Sequence, residues 1–399
     1  MTRPDGFWWG TGASSTQTEG AAPASDWLAW EQGGHAPASG DGNGFATEYA
    51  GDFARMVGAG LPHHRLSIEW ARIEPEPGKR DPAAVEHYRQ VLTAARNAGI
   101  SPWVCLHHFT LPGWFSVDER GFLDERSRSY YWPRHVDFVA ETFGDLVFGW
   151  KPVNEPYFYA VLGWLAGSGP PGVHDARRFL EALEAIHLAN FDAALRLRET
   201  GLPVMTIQGL MPLRPAEPTP EAEAMTARVD QGMWGCWIDA MSDGTLTVPG
   251  RAPIERPEFQ EAFDLVGFSY YAAATVAANG AFGPYPTDAR VGPMGYAPWS
   301  EGLGIVLHRL AEGLPGQPLV VAEHGVGTDD DAWRAEVLRD SLAEVSGARQ
   351  DGIDVRGFFH WTAVDNYEWN HGYDVAFGLW SRDRTPKPAS LEVLRQSQS

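Results

Sequence analysis

Eight short runs rich in β-branched and aromatic residues, alternating with amphipathic helical stretches, predict a closed (β/α)8 barrel. It would occupy residues 1–399 as one domain. Strands joined by helical crossovers pair in parallel, and eight repeats favour closure over an open doubly wound sheet. Gly10-Thr11-Gly12 runs into Ala13-Ser14-Ser15 with no Gly-x-Gly-x-x-Gly turn, so a dinucleotide-binding sheet is not expected. The third observation is chemical. Two strand-like runs, Trp150-Lys151-Pro152-Val153-Asn154-Glu155 and Leu319-Val320-Val321-Ala322-Glu323, each end on a glutamate. Burying an unpaired carboxylate is costly, so a charge that finishes an apolar strand has a partner or a task.

The strands are expected near 6–14, 63–70, 101–109, 145–153, 203–210, 264–271, 318–323 and 355–362. Between them, a helix is expected over 177–199, where Phe179, Leu183, Ile186, Ala193 and Leu197 recur at helical spacing. Another follows Asp329-Asp330-Asp331, an acidic N-cap, with Trp333, Val337, Leu338, Leu342 and Val345 on one face. Arg214 to Pro220 reads as a surface loop, because three prolines interrupt it.

Composition narrows the partners. A net charge of −21, from 31 basic and 52 acidic residues, argues against nucleic acid and anionic membrane. The chain holds 17 Trp, whose rings suit the apolar faces of sugars as well as a core. Cys105 and Cys236 are too few for a disulfide framework. Met1-Thr2-Arg3-Pro4-Asp5 lacks an apolar leader, and no apolar run reaches membrane-spanning length, so a cytoplasmic location is expected.

The C-terminal ends of barrel strands are where such folds gather their chemistry. Here they would present Gln17 and Glu19, Arg65 and Glu69, His107 and His108, Asn154 and Glu155. Ser269 and Tyr271, Glu323, then Trp361, Glu368 and Trp369 complete the set. Amides, imidazoles and carboxylates that bond hydroxyls, mixed with indoles that stack, make a sugar pocket. A pair of carboxylates at its centre suits glycoside cleavage.

The chain resembles glycoside hydrolase family 1, the retaining β-glucosidases and β-glycosidases built on a TIM barrel. The resemblance rests on Phe7–Gly20, Arg65–Ile73, Leu106–Pro112, Asn154-Glu155-Pro156, Ala322-Glu323-His324-Gly325 and Trp361–Trp369, in that order along nearly the whole chain. It implies Glu155 as acid/base and Glu323 as nucleophile. Gln17, His108, Asn154, Glu368 and Trp369 would bind the sugar, and Trp361 would stack on it. Arg65 and Tyr271 would support Glu323. The implied reaction needs neither metal nor cofactor, and the implied partner is a small glycoside. A transglycosidase would share every residue; a non-catalytic glycoside-binding barrel is the alternative of another class.

Five positions depart from the family pattern: Pro152 for Thr, Phe109 for Trp, Ser269 for Asn, and Ala322 with His324 around the nucleophile. These bear on substrate choice more than on reaction class. The stretch from Tyr271 to Trp299, trimmed and rich in small residues, implies a wide mouth and a bulky or non-sugar aglycone. Glu368 and Trp369 argue against phosphorylated sugars and for a neutral one, β-glucose first, then β-galactose or β-fucose. His107, next to His108 on an extended segment, is expected to face the other way as a structural residue. Glu69 either braces Arg65 or forms an ion pair on the barrel floor. His63-His64 lacks the spacing and acidic partners of a metal site.

Overall fold

The computed structural model describes residues 6–118 and 120–398; Met1–Asp5, read above for a leader, lie outside them. The barrel strands are β1 (Trp8–Gly12), β2 (His63–Ser67), β3 (Ser101–His107) and β4 (Gly149–Val153). β5 (Met205–Gly209), β6 (Leu265–Ser269), β7 (Leu319–His324) and β8 (Val355–Trp361) follow. They pair in parallel in the order β4-β3-β2-β1-β8-β7-β6-β5. The two ends of that series meet through bridges between Trp150 and Val204 and between Asn154 and Ile207. The Trp150 N–H donates to Pro203 at 2.8 Å and the Glu155 N–H to Ile207 at 3.0 Å, so the barrel is nearly closed.

Pro152 sits in this sparse seam. The Trp150 N–H points toward β5, and strand alternation sends the next same-side position, Pro152, that way too. Proline has no N–H to give, which leaves only isolated bridges between β4 and β5. The departure from the family pattern is thus absorbed where the ladder is already broken.

A helix follows each strand: α1 (Phe45–Gly58), α2 (Pro82–Ala98), α3 (Glu125–Phe143) and α4 (Ala176–Arg198). α5 (Cys236–Asp243), α6 (Ser300–Gly313), α7 (Asp331–Gln350) and α8 (Pro388–Ser397) complete the shell. Local chemistry starts several of them. Asp81, Asp175 and Asp330 each cap a helix by accepting a backbone N–H at 2.8, 2.9 and 3.1 Å. Asp330 therefore fulfils the acidic cap expected at 329–331. No helix among the described residues is long and apolar enough to cross a membrane.

One expectation about the loops fails. Arg214 to Pro220 is not simply a loop: Leu213–Pro215 pairs in parallel with Ala273–Val276, which pairs in turn with Phe282–Tyr285. Pro220 then opens a helix capped by Thr219, leaving 216–219 irregular. The prolines are tolerated because Pro215 falls on an edge strand, Pro218 in the irregular segment and Pro220 at the first helical position.

Two apolar layers hold the fold together. One lies between the barrel and its helices. A smaller one fills the barrel floor with Trp103, Met205, Ile207, Leu265, Val320, Ala322 and Phe359. Lys151 enters the barrel beside this floor, fully buried, with its ammonium group over the rings of Phe359 at 4.8 Å and Trp103 at 5.6 Å. Its Nζ has no hydrogen-bond partner. Burial, with the Arg65 charge adding to it, pushes the Lys151 pKa well below 10.5.

Candidate active site

β7 carries Glu323 out of the barrel wall through a bulge. Val321 lies opposite Phe268 and Glu323 opposite Ser269, so two residues of β7 advance against one of β6. Glu155 leaves β4 differently, with φ at 47° immediately before Pro156, the first residue of a short helix. Positive φ is uncommon for a residue with a Cβ. Five non-glycine residues among those described adopt it, and three of them, Phe109, Glu155 and Trp369, line one cavity. Backbone strain of this kind persists where surrounding packing fixes a functional side chain.

That cavity, of about 330 Å³, opens at the C-terminal end of the barrel. Gln17, His108, Asn154, Glu155, Tyr271, Glu323, Trp361, Glu368 and Trp369, all expected from sequence, line it. Arg65 lies beneath, fully buried, as a hub. It pairs with Glu323, donates to the Ala13 carbonyl at 3.1 Å and to His108 Nδ1 at 2.8 Å, and sits 5.0 Å from the Trp361 ring centre. Tyr271 donates its hydroxyl to Glu323 Oε2 at 2.7 Å. Two donors thus hold the Glu323 carboxylate, one of them cationic.

Glu155 has a different environment. Burial raises its pKa above 4.5, with the Ser269 hydroxyl and the Arg65 charge pulling the other way. Asn154 Oδ1, at the pocket and buried, has no hydrogen-bond partner. Such groups are unusual unless a ligand satisfies them.

The polar end of the pocket is tightly bound together. Gln17 accepts from the Ser14 hydroxyl at 2.8 Å and donates to Glu368 Oε2 and the Tyr367 carbonyl, both at 3.0 Å. Burial raises the Glu368 pKa to about 8, with Trp361 and Gln17 opposing and Glu155 adding to the rise. The His108 ring lies nearly parallel to those of Trp361 and Trp369, with ring centres 5.8 and 6.1 Å away. Burial and Arg65 drive its pKa well below 6.5, so the ring is neutral. Arginine can only donate, so His108 Nδ1 accepts and the ring proton resides on Nε2.

Several strand-end residues stand elsewhere. Glu19, grouped with the strand ends above, faces α2 instead: it accepts from the Tyr88 hydroxyl at 3.0 Å and lies 3.5 Å from Arg72. Glu69 takes neither role expected of it. It accepts from Ser15 and Thr110 hydroxyls, both at 2.8 Å, and caps the Trp70–Ile73 turn, joining the loops after β1, β2 and β3. His107 packs on Phe122 and Tyr159, away from the pocket, as expected. His63 and His64 face opposite sides of β2: His63 Nδ1 accepts from the Trp103 indole at 3.3 Å, while His64 Nδ1 lies 2.8 Å from the Thr11 hydroxyl.

The departures near the nucleophile also resolve. His324 bonds the Tyr270 carbonyl at 2.7 Å and stacks on the Tyr270 ring, outside the cavity. Phe109 and Ser269 do line it. The rest of the lining was not anticipated: Phe158, Val161, Leu162, Leu210, Met211, Met294 and Tyr296 among others. Leu210 and Met211 directly follow β5, so their position carried a signal that strand-end reasoning could have used. Met294 and Tyr296 come from the small-residue stretch before Trp299 and carried none. That stretch lines the pocket wall with these two side chains.

The glycosyl hydrolase family 1 model matches residues 1–397. The chain is 30% identical to thermostable β-glucosidase B of Thermobispora bispora over 447 aligned positions, covering 100% of this chain and 91% of that protein. It is 25% identical to β-glucosidase A of Thermotoga maritima, covering 94% and 92%. Among solved structures, a β-glycosidase from Pyrococcus horikoshii superposes with a TM-score of 0.89 at 28% identity, covering 100% of this chain and 95% of that one.

Proposed function

Since the chain belongs to glycosyl hydrolase family 1, we propose that its single barrel domain is a retaining exo-β-glycosidase in which Glu323 is the nucleophile and Glu155 the acid/base. The observation that carries the assignment is the asymmetry of the two carboxyls. Glu323 is held by Arg65 and Tyr271, which favour the anion. Glu155 is buried with its pKa raised, which favours the acid.

In the first step Glu323 attacks the anomeric carbon, the bond to the leaving oxygen breaks, and the Glu155 proton passes to that oxygen. Esterification removes the Glu323 charge. Glu155, now a carboxylate, takes a proton from water, whose oxygen displaces Glu323 and restores the original anomeric configuration. An alcohol in place of water would give transglycosylation through the same intermediate.

Asn154 would hold the sugar 2-hydroxyl, its free Oδ1 supporting that role. His108 would donate from Nε2, Gln17 and Glu368 would bind hydroxyls farther from the reacting carbon, and Trp361 and Trp369 would supply stacking faces. Among the described residues the pocket lining contains no Lys or Arg, which supports a neutral sugar such as β-glucose over a phosphorylated one. This reason replaces repulsion by an ionised Glu368, since that residue holds its proton up to about pH 8.

The reading is tested by following 4-nitrophenyl β-glucoside hydrolysis by proton NMR alongside a Glu323→Ala variant. The first-formed sugar should be the β-anomer, and Glu323→Ala should show no turnover. Release of the α-anomer, or full activity in Glu323→Ala, would reject it.

A further inference from the structure

Gln17 and His108 reach the pocket from different loops, and the strand ladder fixes neither of them. Gln17 lies in the Ser15–Glu19 turn of helix, which has no side-chain cap. His108 lies one residue past β3 and is followed by Phe109 at a φ of 68°. Glu368 and Arg65 orient the two side chains by hydrogen bonds. The placement of their backbones is set by a residue outside the cavity lining, Glu69.

Glu69 is buried just past β2, the strand that pairs with β1 on one side and β3 on the other. Its Oε2 accepts from Ser15 and Thr110 hydroxyls at 2.8 Å and from Thr16 at 3.4 Å, and its Oε1 accepts the Ala71 N–H at 3.3 Å. Its own N–H donates to the Tyr88 hydroxyl of α2 at 3.2 Å, which anchors the clamp to the helical shell. Ser15 and Thr16 directly precede Gln17, and Thr110 stands two residues after His108. A carboxylate only accepts, so one small group can gather donors from three loops. Asn154 is held differently: its N–H donates to the His107 carbonyl at 2.9 Å, and it bridges Ile207 in the barrel wall.

Resting on the glycosidase reading above, we infer that Glu69 is a positioning residue for sugar recognition. It sets the spacing between Gln17 and His108, and so acts on the hydroxyls beyond C2 while leaving the Asn154 contact to the 2-hydroxyl alone. Displacing a binding group by about 1 Å can cost about 100-fold in rate, even when the change lies far from the reacting bond.

The test compares kcat/KM on 4-nitrophenyl β-glucoside and its 2-, 3- and 4-deoxy analogues. Glutamine keeps the shape of Glu69 but offers a single accepting oxygen, so one side of the clamp opens. In Glu69→Gln the glucoside-to-deoxyglucoside ratios for the 3- and 4-deoxy sugars should fall about 10- to 100-fold. The ratio for the 2-deoxy sugar should not change. Thr110→Val, which opens the His108 side alone, should lower at least one of the first two ratios. These ratios are independent of how much enzyme is folded, and if Glu69→Gln is inactive, Thr110→Val decides on the same terms. Unchanged 3- and 4-deoxy ratios, or a 2-deoxy ratio that falls as far as they do, would overturn the inference and leave the glycosidase reading intact. Failure of the wild type to cleave any of the four would instead reject that reading.

Discussion

Tyr271 donates its hydroxyl to Glu323 Oε2 at 2.7 Å while Arg65 pairs with the other carboxylate oxygen. The hydroxyl fixes the carboxylate plane that the cation alone would leave free to rotate. A hydrogen bond to a charged group contributes about 1.5–3 kcal/mol, so Tyr271→Phe should lower kcat roughly 10- to 100-fold. Steady-state rates on 4-nitrophenyl β-glucoside check this, and an unchanged kcat would remove Tyr271 from the machinery.

In the proposed mechanism Glu155 must be protonated to act in the first step, and burial raises its pKa above 4.5. Activity should therefore fall on the alkaline side as Glu155 loses its proton. In Glu155→Ala that limb should vanish for dinitrophenyl glycosides, which need no acid, while alkyl glycosides lose nearly all turnover. The pH profiles of kcat/KM for both substrates decide the matter; an alkaline limb that survives the substitution belongs to another group.

Glu368 and Lys151 should give stability slopes of opposite sign. The Glu368 pKa is raised from 4.5 to about 8, so between those values the folded state binds more protons than the unfolded one. Its contribution to stability falls as pH rises across that window, by up to about 1.4 kcal/mol per pH unit. Glu368→Gln should flatten that decline in urea melts taken at pH 5 and pH 8, while weakening sugar binding.

For Lys151 the pKa is depressed below 10.5, so the unfolded state binds the extra proton and stability rises with pH up to that value. Lys151→Met keeps the stem among Trp103 and Phe359 and removes the amine that has no partner. It should raise Tm at pH 7, with the gain shrinking toward pH 10. A loss of stability at pH 7 would mean that the amine has a partner after all.

Gly209 is pressed between Phe158 and Glu155. A methyl group there would meet the Phe158 ring at 2.3 and 2.5 Å, too close for any packed aromatic side chain. Gly209→Ala should cost about 1–3 kcal/mol in stability. It should also lower kcat on poor leaving groups more than on dinitrophenyl glycosides, because the displaced ring moves Glu155, the proposed proton donor. Equal losses on both substrate classes would contradict this.

Much of the site was readable because its residues sit in short contiguous motifs at strand ends. Asn154-Glu155-Pro156 and Glu368-Trp369 carry their chemistry locally, and a parallel barrel sends every strand end to one face. Glu19 misled for the same reason: the turn of helix at Ser15–Glu19 rotates it toward Arg72 and Tyr88, two residues after Gln17 enters the pocket. Glu69 was ambiguous because its hydroxyl partners, Ser15 and Thr110, are 54 and 41 positions away in the chain.

Strand and helix alternation, the acidic helix caps and the identity of the paired carboxylates were fixed in the order of residues, since periodicity and motif are properties of neighbours along a chain. Which carboxyl is paired with a cation, which amine is buried without a partner, and which wall is apolar were decided only on folding. Those depend on side chains from separate loops meeting in space, where burial and charge set protonation and where residues as far apart in the chain as Phe158, Met211 and Met294 come to line one cavity.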